Sequence, residues 1–144
     1  MPLILFVCVC VVVLDQLAKK IISSRLSEGA FTSSGVCGVR FHHVVNRRSP
    51  WKSTAAVRVM AMGWLLLGAA ALAVATRVHS PSTFIALGAL FGGAMGNLID
   101  GLSRKGVTDF IDLRVWPVFN LADTAIVAGA TVLIWNAVRL RSGG

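Results

Sequence analysis

Charge is scarce in this sequence. Only 14% of its residues are Asp, Glu, Lys or Arg, against roughly a quarter in soluble domains. With a mean hydropathy of +0.76, that scarcity excludes a soluble globular fold, which needs a polar exterior. Sulfur is thin as well. The three cysteines, Cys8, Cys10 and Cys37, form no even-numbered framework. Cys8 and Cys10, two apart on an expected helix, face different directions and read as small apolar residues of a membrane segment. Metal-binding patterns are missing: there is no HExxH, and His42 and His43 lack a third ligand at metal spacing, so they read as interfacial loop residues. No G-x-S-x-G occurs, and GGAMGN, at the end of an apolar run, lacks the lysine of a phosphate-binding loop. The residues thus imply no metal and no cofactor. A net charge of +8 first suggests nucleic acid, but the basic residues lie in short loops between apolar runs, without a stripe or groove-reading motif. Anionic membrane lipids account for the same charge, and nucleic acid is not expected as a partner.

Long apolar runs are what the chain does have. Four segments, about 3–22, 54–76, 82–99 and 119–138, approach the roughly 20 residues that span a hydrocarbon core. The first contains twelve unbroken apolar residues, LILFVCVCVVVL. It lacks a basic start and a small-x-small site close behind its apolar run, so it reads as a retained helix and not a cleaved leader. The expectation is an all-α membrane protein, residues 1–144 forming one polytopic domain of four transmembrane helices. Residues 23–53 and 101–118 form long connections. In the first, GVRFHHVVNR suggests one or two short strands lying on the membrane surface. In the third apolar segment Gly88, Gly92 and Gly96 recur every fourth residue, a small-xxx-small pattern for close helix packing.

Acids are the rarest class, six in all, and four of them fall between Asp100 and Asp123. An ionisable group at a membrane boundary is a functional-site hypothesis by default. If successive spans alternate direction, Asp15 and Lys19 near the end of the first, Asn97 and Asp100 at the end of the third, and Asn120 and Asp123 at the start of the fourth meet at one membrane face. Asn46 and Asp109, in the two connections, belong to that face too. Asn97 with Asp100, and Asn120 with Asp123, are i,i+3 pairs on shared helix faces; Asp15 and Lys19 are i,i+4 in the order that favours an ion pair. Structural roles stay open here, Asn120 as a helix cap and Asp15–Lys19 as a plain ion pair. Asp112 reads as a solvated loop residue. Two carboxylates held close do not both ionise easily, which supplies an acid and a base near neutral pH. Aspartyl peptide hydrolysis uses that arrangement.

GGAMGNLID, VTDFIDL and FNLADTAI, in that order and spacing, resemble the last three motifs of the lipoprotein signal peptidases (signal peptidase II), and DQLAK resembles the first. The resemblance covers most of the chain. It implies an intramembrane aspartic peptidase that cuts diacylglyceryl-modified prolipoproteins just before the lipidated cysteine. Asp109 and Asp123 would be the catalytic dyad, with Asn97 and Asn120 positioning the dyad or the substrate, Asp15 and Lys19 in support, and Asn46 contacting substrate. It further implies a multi-pass protein of the bacterial cytoplasmic (inner) membrane, with the β-containing loops and the site on the extracytoplasmic face; a monomer is expected, although nothing in the sequence fixes the oligomeric state. Two departures stand out. Asn46 continues as NRRSPW where the family has a glycine-containing stretch, and Gly101 stands where GNLID is normally followed by arginine, which makes Arg104 the candidate replacement. Eleven of the fourteen Lys and Arg residues lie on the site side, so the positive-inside rule alone would put that face in the cytoplasm; the resemblance implies the reverse. Two other readings are an ion-coupled transporter subunit and a catalytically impaired paralogue that binds lipid-modified peptides.

Overall fold

The computed structural model describes residues 2–32, 39–47, 62, 68–69 and 80–142. Three described helices are long and apolar enough to cross a membrane: α1 (Pro2–Arg25), α2 (Pro81–Arg104) and α3 (Leu121–Ser142). Of the expected span at 54–76, Met62, Gly68 and Ala69 are helical, and the rest lies outside the described residues, as do Cys37 and the stretch from Arg48 to Trp51.

Helix α1 is built inside out. Leu5, Phe6, Val9, Val13, Leu14, Leu17 and Ile21 are exposed, while its buried residues are Asp15 and Lys19. Where hydrocarbon is the solvent, apolar side chains gain nothing by turning inward, and ionic groups are kept against the protein interior. Helix α2 lies between the other two, and its glycines make that possible. A Cβ on Gly88 would meet the Ile4 carbonyl oxygen and Val7, one on Gly92 the Cys8 carbonyl oxygen and Val11, and one on Gly96 the Asp15 carboxylate. Gly93, on the other side, faces the Ala122 carbonyl and Ile126 of α3. The glycine row therefore seats α1, and its neighbour seats α3, by backbone approach.

At 24 residues, α2 is about 36 Å long and runs five residues past the expected end at 99. The apolar run stops at Ile99, but the polar continuation GLSR stays helical. Ser103 Oγ donates to the Ile99 carbonyl oxygen at 2.6 Å, and the helix ends only where Lys105 turns left-handed (φ 55°). In the other direction, α3 starts at Leu121, two residues later than expected. Phe119 is held instead by the preceding strand: its carbonyl oxygen accepts from the Phe110 and Ile111 amides and its amide donates to the Ile111 carbonyl oxygen.

That strand is the main surprise of the fold. β1 (Arg40–Asn46) falls within the expected strand region, but it pairs antiparallel with β2 (Val107–Asp112), a segment in which no strand was expected. The register sets Arg40 opposite Asp112, Val44 opposite Asp109 and Asn46 opposite Val107, with an irregularity between Phe41 and Val44. VTDFID has strand-forming residues but only one clear polar–apolar alternation, and Val107, Thr108, Phe110 and Asp112 are buried or half-buried whatever their polarity. His42 and His43 lie on β1; His43 is buried, and its Nδ1 donates to the Leu26 carbonyl oxygen at 2.8 Å.

Candidate active site

Helix α3 opens with a reciprocal cap. The Asn120 side-chain oxygen accepts from the Asp123 amide at 2.9 Å, and the Asn120 amide donates to Asp123 Oδ2 at 3.2 Å. Both donors are otherwise unpaired at a helix start. The same cap aims the rest of Asn120 at β2, where its Nδ2 donates to Asp109 Oδ1 at 2.8 Å. Asn97, at the end of α2, completes the bridge. Its Nδ2 donates to Asp123 Oδ1 at 2.8 Å, and its oxygen accepts from Asn120 Nδ2 and from Lys19 Nζ, each at 3.1 Å. Asp109 and Asp123 are thus joined through two asparagine side chains. Asn120 is both the helix cap and a bridge in this network.

Asp109 is buried on β2. Burial and the neighbouring Asp123 charge push its carboxyl up to about 7, against the opposing pull of the Asn120 hydrogen bond, the Lys19 charge and a hydrogen bond from Asn46. Asn46, exposed at the end of β1, lines an open cleft of about 330 Å³ together with Val44, Arg47, Asp109 and Pro117. A second, more apolar cleft of about 420 Å³ includes Asp123 in its lining, with Leu113, Trp116, Phe119, Thr124, Val127 and Ala128. Residues of the loop 113–119 line both clefts.

Behind the dyad lies a buried ionic cluster. Lys19 Nζ sits 2.7 Å from Asp15 Oδ2 and 3.1 Å from Asp100 Oδ2, with all three side chains fully buried. Arg104 pairs with Asp100 Oδ1 at 2.5 Å, so the arginine four residues on occupies this carboxylate where position 101 has no side chain. All eight residues singled out in the sequence, Asp15, Lys19, Asn46, Asn97, Asp100, Asp109, Asn120 and Asp123, are brought into one connected site.

Two features escaped the sequence reading. Asp112 is not a solvated loop residue: it is 4% exposed, paired with Arg40 Nε at 2.6 Å and capped by the Arg114 amide at 2.7 Å. The Arg40 guanidinium, then that amide, hold its carboxyl below the usual carboxylate range. Its partner became predictable only once β1 and β2 were known to pair. Gln16 was also passed over, although a polar amide inside an apolar span was signal enough. Among the described residues no three His, Cys, Asp or Glu side chains group closely enough to hold a metal ion.

Residues 7–139 match the family described as Signal peptidase (SPase) II. A lipoprotein signal peptidase of Moorella thermoacetica is 38% identical over 141 residues, covering 94% of this chain and 92% of the relative. Another, from Paraburkholderia phymatum, is 36% identical over 149 residues, covering 92% and 86% respectively. Among solved structures, a bacterial membrane enzyme determined by the in meso method at 2.3 Å superposes with a TM-score of 0.82 at 23% identity, over 99% of this chain and 92% of that one. That likeness shows a shared fold.

Proposed function

The chain belongs to the signal peptidase II family, and from that premise we propose that it works as an aspartic endopeptidase on diacylglyceryl-modified prolipoproteins, with Asp109 and Asp123 as its dyad. The observation that carries the assignment is the Asp109–Asn120–Asn97–Asp123 bridge, in which the buried Asp109 is poised to exchange a proton near neutral pH. With one proton shared between them, the ionised carboxylate takes a proton from the attacking water while the protonated one donates to the scissile carbonyl oxygen. A coupled pair titrates as a unit, and the environment favours Asp109 as the proton's site.

Asn97 and Asn120 keep the two carboxylates in register, Asp15, Lys19 and Asp100 support them from behind, and Asn46 lines the cleft beside Asp109 where it can contact a bound peptide. The apolar cleft beside Asp123 follows α3 away from the sheet, which suits a substrate whose cleavage site is tethered to acyl chains. Arg104 on Asp100 speaks against an impaired site on account of Gly101. The acids gather at one end of the helices, which speaks against a proton path across the membrane.

We further assign the protein to the bacterial cytoplasmic membrane with its site on the extracytoplasmic face, because a lipidated precursor is cut after export. A reporter fused after Gly144 is expected in the cytoplasm; one found outside would reverse the orientation. For the chemistry, the purified protein is given a diacylglyceryl-modified precursor peptide. Wild type is expected to cut before the lipidated cysteine, and Asp109→Asn and Asp123→Asn each to lose at least about a hundredfold in rate, since both proton transfers are needed. Unimpaired cleavage by either variant would remove that residue from the dyad.

A further inference from the structure

Two carboxylates outside the dyad each grip the backbone directly in front of a dyad residue. Asp100 Oδ2 accepts from the Thr108 amide at 3.0 Å, one residue before Asp109. Asp15 Oδ1 accepts from the Ala122 amide at 3.0 Å, one residue before Asp123. These anchors sit on different helices and are tied together by Lys19 and by Gln16. Gln16 Nε2 lies 3.2 Å from Asp100 Oδ1, 3.3 Å from Asp15 Oδ2 and 3.1 Å from the Gly96 carbonyl oxygen.

Asp100 is therefore held on both oxygens. Gln16 and Arg104 donate to Oδ1, and the Thr108 amide and Lys19 donate to Oδ2. A carboxylate saturated in this way does not turn about its Cβ–Cγ bond without breaking charge-assisted hydrogen bonds. The formal charges of Asp15, Lys19, Asp100 and Arg104 sum to zero, which a buried cluster needs if no ion is to be left uncompensated. Arg104, its side chain 37% exposed, closes the cluster on the water side.

Resting on the dyad reading above, we propose that Gln16 and Arg104 are positioning residues: they clamp Asp100 Oδ1 so that Oδ2 fixes the Thr108 amide, and with it the place of Asp109. Loss of the clamp lets Asp109 drift relative to Asp123, and displacements of an ångström in such a site cost up to about a hundredfold in rate. Arg104 has a second, electrostatic effect. Asp109 is faced by Asp123 from α3, Lys19 from α1, Asn120, and Asn46 and Arg47 at the end of β1, with Asp100 and Arg104 of α2 behind Thr108. Without Arg104 the cluster carries a net negative charge, which makes the dyad hold its proton to higher pH.

The test uses the full chain in lipid or detergent, with Arg104→Gln, Arg104→Lys and Gln16→Met, read by precursor cleavage across pH and by hydrogen exchange of the Thr108 amide. Arg104→Gln is expected to lower kcat about tenfold at similar KM, move the alkaline limb of the profile upward and speed Thr108 exchange. Arg104→Lys recovers most of the loss. Gln16→Met, a neutral change, speeds exchange and lowers kcat but leaves the limb in place. Wild-type kcat in Arg104→Gln, or a loss of kcat without faster Thr108 exchange, would overturn the proposal. Exchange is independent of turnover. A wild-type protein that cut no precursor would sink the peptidase reading, while unchanged Thr108 exchange in the variants would sink the clamp.

Discussion

The same chemistry occurs twice in this protein, at opposite degrees of burial. At the helix ends Asp15, Lys19 and Asp100 pair with side chains fully out of water. On the loop surface Glu28 and Arg47 form a two-bond pair at 2.5 and 2.8 Å, with side chains 44% and 56% exposed. Distance does not separate these pairs; surroundings do. The exposed pair is screened by water and contributes little. In the buried cluster each ion depends on the others, because a lone charge there has nothing to replace its lost hydration. The protein places its costly charges where they bind the backbone next to Asp109 and Asp123.

The largest effect is expected from removing the central cation. Lys19→Met leaves Asp15 without a counter-ion and Asp100 with Arg104 alone, and is expected to destabilise the fold by about 4 kcal/mol and to abolish cleavage. Thermal unfolding in detergent checks it; a near-wild-type melting temperature would show that the cluster is not held as described. Next in size is Gly92→Leu, whose side chain meets the Cys8 backbone and Val11. Forcing α1 off α2 there is expected to cost about 2 kcal/mol and to reduce activity, since Asp15 and Lys19 travel with α1.

Two aspartates on one strand sharpen the contrast further, because their environments push them in opposite directions. Asp109 is raised to about 7, so its contribution to stability is present below pH about 4 and is lost as pH rises past about 7. Asp109→Asn is therefore expected to raise the melting temperature at pH 8 relative to wild type, with the difference closing at acid pH. Asp112 is lowered, so its contribution is present above pH about 4 and is lost as pH falls further. Asp112→Asn is expected to lower the melting temperature at neutral pH, with the gap closing in acid. Parallel responses in the two variants would contradict the assigned causes. The smallest effect belongs to the exposed pair: Glu28→Gln is expected to leave the melting temperature almost unchanged.

How much of this was legible in advance depended on sequence distance. The spans carrying α1, α2 and α3 were readable from hydropathy because each is decided by its own residues. So was the i,i+4 pair of Asp15 and Lys19. The convergence of Asn97, Asp109, Asn120 and Asp123 followed from alternating spans without any knowledge of contacts. Helix ends were missed by a few residues, since they are set by caps and by Phe119 pairing with β2 and not by where apolarity stops. β2 itself was missed because its partner lies more than sixty residues away, and with it went the Asp112–Arg40 pair. Gln16 shows a different limit: a polar amide inside an apolar span marks it, but its partners Gly96 and Asp100 lie on α2, some eighty residues away.

The proposed sharing of one working proton by Asp109 and Asp123 is read out in the pH dependence of kcat/KM for a diacylglyceryl-modified precursor. The wild-type rate is expected to fall on the alkaline side with a midpoint near 7, as Asp109 gives up its proton. A rate that holds level or climbs from about pH 6 to about pH 9 would contradict the shared-proton account.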